Sequence, residues 1–190
     1  MKIERPIYRI ETESLVLRPW REDEVEVLSA LILANLEHLR RWLPWANYEP
    51  EPRDEKLDRI RRSLVNFKNG EKCAYGIYES VNRRLLGCVG LETTSDVADR
   101  FADPDRAGEI GYWLDERSCG LGIMTVSVAA VTHVAFEAMG LCHLETLPNH
   151  TSTPKGEPRD TMIWVMDEGG YKASPAAALT LLATSETETS

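Results

Sequence analysis

Apolar and polar positions along the chain fall into two rhythms. Ser14-Leu15-Val16-Leu17-Arg18-Pro19 alternates briefly and stops at proline, which suits a short strand. From Glu22 to about Glu37 the apolar positions 25, 28, 32 and 36 lie close to helical spacing. A second helix is predicted over Asp54–Lys68, where Leu57, Ile60, Leu64 and Phe67 form one stripe and Asn69-Gly70 ends it. Between the two lies His38-Leu39-Arg40-Arg41-Trp42-Leu43-Pro44-Trp45-Ala46. Two tryptophans beside a proline do not make a long regular element, so a loop or broken helix is expected there.

Two strands follow, Cys73–Glu79 and Leu85–Glu92, with a turn at Asn82-Arg83-Arg84. Thr93–Ala107 is polar, contains Pro104 and is expected to be an exposed loop. Glu109–Asp115 is a further strand. Gly122–Met139 is a long helix, ended by Gly140 and apolar on most sides, with Met124, Val128, Val131 and Ala135 on one stripe. His133 falls among its few polar positions and is expected at the surface. His143–Leu147 is the next strand. The order β-α-α-β-β-β-α-β predicts a mixed α/β fold, one sheet packed with helices. Further on, Met162–Glu168 suits one strand and Gly169-Gly170 a turn. No clear final strand follows, and Leu179–Leu182 is at most a remnant of one. From Ser174 the chain is rich in Ala, Thr and Ser, a composition that predicts a flexible tail. One domain is therefore expected over residues 9–172, with 153–172 divergent and 173–190 as tail.

At 190 residues the chain can bury one substantial core. Its net charge of −9 argues against nucleic-acid binding through a basic face, and is compatible either with a cationic acceptor or with plain solubility. No run approaches the roughly 20 apolar residues that span a bilayer. The mixed-charge start Met-Lys-Ile-Glu-Arg-Pro lacks the apolar stretch of a secretory signal. Cys73, Cys88, Cys119 and Cys142 are far apart, so neither a metal site nor a disulfide framework is expected. Together these point to a cytoplasmic protein without a membrane partner.

The most informative stretch joins the Glu109–Asp115 strand to the long helix. In Arg117-x-x-Gly120-x-Gly122 the glycines let backbone approach a bulky anion, and the positive end of the helix dipole lies behind them. Amides of residues 117–122 can converge on two phosphates there, with Arg117 adding charge. A dinucleotide fingerprint needs a third glycine where Thr125 stands, and a P-loop needs Gly-Lys-Ser/Thr; both are missing. Taken alone, the turn is equally a plain helix entry. Cys119 lies in it with nothing nearby to make it a catalytic thiol.

Arg117-x-x-Gly120-x-Gly122, between a strand and a long helix, resembles the acetyl-CoA signature of the GNAT N-acetyltransferase superfamily. Gly111-Tyr112-Trp113-Leu114-Asp115-Glu116 followed by Gly120-Leu121-Gly122-Ile123-Met124 is similar to the ribosomal-protein N-terminal acetyltransferase group. So are Glu11-Thr12-Glu13-Ser14-Leu15-Val16-Leu17-Arg18-Pro19 and the segment His38–Trp45, in register. The resemblance runs from about residue 9 to residue 152 and implies the GNAT fold, a mixed sheet split by the cofactor. It implies pantetheine along the backbone of Tyr112, Trp113 and Leu114. The pyrophosphate would lie on the amides of Arg117, Ser118, Cys119, Gly120, Leu121 and Gly122. It also implies direct attack of an amine on the thioester, in keeping with the absence of a nucleophile–His–Asp set. Glu109, at the start of the signature strand, is the first candidate base and Glu92 the second; each is otherwise a solvated strand-end residue. Asn149-x-x-Ser152 resembles the next family motif, in which the asparagine contacts the cofactor arm and the serine protonates the departing thiolate; the same residues also suit a helix cap. Trp42 and Trp45 would line the acceptor pocket or belong to an aromatic core. After Ser152 the resemblance fails, because Pro154, Gly156 and Pro158 rule against the family's next helix. The activity implied is acetyl transfer from acetyl-CoA to a primary amine, foremost a protein or peptide N-terminus. A small-molecule amine acceptor, or a catalytically silent acyl-CoA-binding protein, is the alternative.

Overall fold

Alternating apolar positions build a single eight-stranded sheet in the order β7-β6-β5-β4-β3-β2-β1-β8. The structure, a computed structural model, describes residues 7–93, 106–146, 164–178 and 181–184. Its strands are β1 (Arg9–Glu11), β2 (Leu15–Arg18), β3 (Lys72–Glu79), β4 (Leu85–Glu92), β5 (Ala107–Leu114), β6 (His143–Thr146), β7 (Trp164–Asp167) and β8 (Leu182–Thr184). Every neighbouring pair is antiparallel except β5 and β6, which run parallel because a helix carries the chain from one to the other. That helix is α4 (Ile123–Glu137). The earlier helices are α1 (Val25–Ala34), α2 (Leu36–Arg40) and α3 (Arg53–Asn69).

Two apolar clusters fill the space between sheet and helices. One joins Cys73, Tyr75 and Ile77 of β3, Val89 and Leu91 of β4, and Ile110 and Leu114 of β5 to Ala130, Val131, Val134 and Ala135 of α4. The other joins Tyr78 and Leu85 to Val25, Leu28 and Ile32 of α1, Leu39 of α2 and Ile60 of α3, with Trp45 and Trp113 packed against it. The helix expected over 22–37 is divided at Asn35. A 3-10 turn covers Glu22–Glu24, α1 ends at Ala34, and α2 starts afresh at Leu36. Asn35 is buried, and its side chain both donates to the Leu31 carbonyl (2.8 Å) and accepts from the Glu116 amide (2.8 Å). A short amide side chain competing with the backbone in this way ends a helix. Gly70 ends α3 as expected, in the left-handed conformation (φ 74°), with its amide on the Phe67 carbonyl. Lys56, in the first turn of α3, forms a buried ion pair with Glu49 just before the helix, 2% and 1% exposed, at 2.7 and 2.8 Å.

The C-terminal part differs from its sequence reading. Gly169 and Gly170 lie in a short helix, α5 (Glu168–Lys172), because the Asp167 carboxylate caps it by accepting the Gly170 amide at 2.7 Å. Ordered elements continue past residue 172: a 3-10 turn spans Pro175–Ala178 and β8 pairs with β1, Ile10 opposite Ala183. Backbone pairing, which composition does not report, holds this strand. Tyr171 fastens the segment to α4. Its ring stacks on Phe136 (4.6 Å, 2°) and its hydroxyl donates to Glu137 (2.9 Å). His133 Nδ1 lies 3.0 Å from that hydroxyl and 3.1 Å from the Ala176 carbonyl, so His133 is a joint between α4 and the C-terminal segment instead of a surface residue. No helix among the described residues is long and apolar enough to cross a membrane.

Candidate active site

The parallel pair β5–β6 is short. Ala107, Gly108 and Glu109 face His143, Leu144 and Glu145, and the pairing stops there while β5 continues to Leu114. On its other side β5 is paired with β4 from Glu109 to Leu114. From Ile110 onward the β6-facing edge of β5 therefore has no strand partner among the described residues. An extended arm carrying amide groups can add there as a strand.

At the end of β5 the chain makes the glycine turn. Asp115 donates its amide to the Leu86 carbonyl and Glu116 to Asn35, which fixes where the turn begins. The amides of Ser118 and Cys119 are spent inside it, on the carbonyls of Asp115 (2.9 Å) and Glu116 (3.2 Å). The Ser118 side chain is buried and donates to the Asp115 carboxylate. Gly120 and Gly122 then take left-handed backbone (φ 77° and 76°), which glycine alone adopts without strain. The first backbone bond into α4 runs from Val126 to Gly122. Amides from Gly120 to Thr125 have no acceptor among the described residues, so the free donors include Gly120, Leu121 and Gly122 and extend past them to Ile123, Met124 and Thr125. Burial, reinforced by the charges of Asp115 and Glu116, pushes the Cys119 thiol above its ordinary value, away from a thiolate.

Edge and turn open into one groove of about 530 Å³. Its walls are His38, Leu39, Trp42 and Leu43 on one side, with Tyr112, Trp113 and Leu114 of β5 on the other. Ser118, Cys119, Gly120 and Gly122 and the first turn of α4 close its end. Arg117 and Leu121 are exposed and do not line it. Trp42 stands on the wall, 57% exposed, whereas Trp45 packs against Trp113 (6.1 Å) behind it. Asn149 and Ser152 lie outside the described residues.

Strand register brings the two candidate glutamates together. Glu92 of β4 is opposite Glu109 of β5, and Glu109 is opposite Glu145 of β6, so three carboxylates stand in one row on one face. Lys72 of β3 ends the row with an ion pair to Glu92 at 2.6 Å. Like charges in adjacent strand positions repel, and a cation placed on this row relieves that repulsion. The next row on the same face is Ala74, Gly90 and Gly111, and the one after is Gly76, Cys88 and Trp113. A Cβ at Gly111 would meet no atom within 4 Å, and one at Gly90 only backbone atoms at 3.8–3.9 Å. An open trough therefore runs between the acidic row and the tryptophans. Sequence reasoning missed Glu145 and Asn35. Glu145 shows only once β6 is set beside β5, and Asn35 only as a polar residue inside an apolar helical pattern.

A mixed sheet that parts beside one strand, with a glycine turn and a helix N-terminus at that strand's end, frames this groove. The chain belongs to the acetyltransferase (GNAT) domain family, whose pattern matches residues 14–153. It is 26% identical over 122 residues to the ribosomal-protein-serine acetyltransferase of Escherichia coli, a match covering 64% of this chain and 63% of that protein. Among solved structures, it resembles RimL, a ribosomal alpha-N-protein acetyltransferase in complex with coenzyme A. The TM-score is 0.68 at 20% identity, over 84% of this chain and 97% of that one. It also resembles Mycobacterium smegmatis RimJ in complex with CoA-disulfide, with a TM-score of 0.66 at 18% identity over 90% of each chain.

Proposed function

We propose that this chain transfers an acetyl group from acetyl-CoA to the N-terminal amine of a protein or peptide. The observation that carries the reading is the parting of β5 from β6 past Glu109–Glu145, with the unspent amides of Gly120–Thr125 following the far end of β5. An arm with amide groups paired along β5 at Tyr112–Leu114 would end its diphosphate on those amides, where the helix dipole favours negative charge. Coenzyme A has that shape and charge, and acetyl-CoA supplies an activated acyl group.

The acceptor enters from the other face, over Gly90 and Gly111. Its amine, as the neutral base, attacks the thioester carbon; the C–N bond forms, the C–S bond breaks, and the amine loses a proton. Glu109 takes that proton directly or through water, with Glu92 beside it as the second candidate. Asn149 and Ser152 enter the proposal from their motif alone: Asn149 on the cofactor arm, Ser152 returning a proton to the departing thiolate. Trp42 shields the groove wall. The relative named for acetylating a ribosomal-protein serine supports a protein N-terminus as acceptor, and such an acceptor fits a cytoplasmic setting.

Thiol release and mass spectrometry on N-terminal peptides test this. Glu109→Gln lowers turnover and spares acetyl-CoA binding; undiminished turnover removes Glu109 from the mechanism. No mass gain on any peptide, with acetyl-CoA shown to bind, defeats the transferase reading.

A further inference from the structure

A second cavity, of about 510 Å³, lies along α3 on the face of the sheet that carries the glutamate row. In an acidic chain it is walled by four basic side chains, Arg59, Arg61 and Arg62 of α3 and Lys72 of β3. Three of them already have carboxylate partners: Arg59 with Glu51 (2.7 Å), Arg61 with Glu22 (2.9 Å) and Asp58 (3.3 Å), and Lys72 with Glu92 (2.6 Å). Arg62 has none among the described residues. The Lys72–Glu92 pair is 50% and 36% exposed, so solvent screens it and little is lost in exchanging its partners.

Ala74 lines this cavity and is also the first residue of the small-residue row. The floor therefore continues from Ala74 across Gly90 to Gly111, beside Glu92 and Glu109. From β3 to β5 is two strand spacings, about 9–10 Å, and an extended peptide covers that distance in about three residues. A peptide with its amine at Glu109 thus brings its third to fifth side chains to Lys72 and Arg62.

We propose that this cavity selects acceptors with Asp or Glu at about the third to fifth position, an inference that rests on the N-terminal acetyl transfer proposed above. On binding, Lys72 leaves Glu92 for the acceptor carboxylate, Arg62, without a carboxylate partner among the described residues, joins it there, and Glu92 turns to the acceptor ammonium. Every charge keeps a counter-charge, and among the described residues no side chain lies within 4 Å of the Cβ positions of the two glycines.

Three fluorescent peptides of equal length test the inference. All begin with serine and carry Asp, Ala or Lys at positions three to five. Anisotropy in the presence of coenzyme A reads binding, and acetylation reads kcat/KM. The acidic peptide is expected to exceed the lysine peptide by about tenfold in both, with the gap closing as salt rises. Arg62→Glu reverses the order while leaving acetyl-CoA affinity unchanged; Arg62→Gln, a milder change, removes the preference if the first variant folds poorly. Equal kcat/KM for acidic and basic peptides overturns this inference and leaves acetyl transfer standing. Arg62-dependent binding of the acidic peptide with no acetylation upholds the pocket and defeats the transferase reading. No binding and no transfer with any peptide overturns both.

Discussion

Gly111→Val separates the acceptor path from the stability of the fold. Gly111 lies mid-strand in β5 with a backbone outside the left-handed region, and its side-chain space is open for 4 Å. Valine suits a strand, and replacing a mid-strand glycine recovers about 0.5–1 kcal/mol of backbone entropy. For a domain of this size that raises Tm by about 2–4 °C per kcal/mol. The same side chain fills the trough between Glu109 and Trp113 that the acceptor must cross. The attacking nitrogen has to come within about 3–3.5 Å of the thioester carbon, and a displacement of about 1 Å costs on the order of a hundredfold. The expected outcome is a protein as stable as wild type or more so, with acetyl-CoA affinity within about twofold and peptide kcat/KM down about a hundredfold. Calorimetry, coenzyme titration and peptide acetylation read the three quantities. Full peptide turnover in a stable variant refutes the acceptor path over Gly90 and Gly111; a large fall in Tm refutes the claim that the space is open.

Other residues carry independent expectations. Lys56→Met leaves the Glu49 carboxylate buried without its partner and costs about 3–5 kcal/mol in urea unfolding, most of it recovered by Lys56→Met/Glu49→Leu; a single variant as stable as wild type contradicts the pairing. Burial works to raise the Glu49 carboxyl. The hydrogen bonds from Lys56 and the Glu51 amide, with the charges of Lys56 and Arg59, outweigh it and hold the group below its ordinary value. Stability from a depressed carboxyl is full above its unfolded value, about 4.3, and is lost as pH falls through the folded one. Wild type therefore has an acid-sensitive component that the double variant lacks; matching acid-unfolding curves contradict this. Gly120→Ala strains a left-handed residue by about 1–2 kcal/mol, lowering Tm and acetyl-CoA affinity together, and unchanged affinity argues against the turn as the diphosphate site. Asn35→Ala leaves the Glu116 amide without its acceptor, costs about 1–3 kcal/mol and weakens coenzyme binding, as thermal-shift titration will show; wild-type behaviour dismisses Asn35 as a brace.

Periodicity alone marks α3 and α4, because α3 has one apolar stripe, α4 is apolar on most sides, and each has a glycine just past its end. It marks β2 to β5 for the same kind of reason, apolar alternation bounded by turn residues. The division at Asn35 was hidden, since the apolar spacing runs through it and only the Glu116 amide, distant in sequence, explains the break. β8 is unmarked in the sequence for a related reason: backbone bonds to β1 hold it, and on its approach Tyr171 and Leu181 pack against the core. At the site, the glycine turn is legible as a motif, but not which amides within it are free. Ser118 and Cys119 lose theirs to a 3-10 turn. The glutamate row and the Ala74-Gly90-Gly111 trough depend on register across four strands, which no local pattern encodes. The separate fates of Trp42, on the groove wall, and Trp45, against Trp113, depend likewise on tertiary packing.

Amide hydrogen exchange with and without coenzyme A tests the central claim most directly. The account predicts new protection at Gly120–Thr125 and along Tyr112–Leu114, with the amides of Ser118 and Cys119 little changed because they are already bonded. Saturating coenzyme that leaves Gly120–Thr125 exchanging freely, or that protects a different part of the molecule, contradicts it.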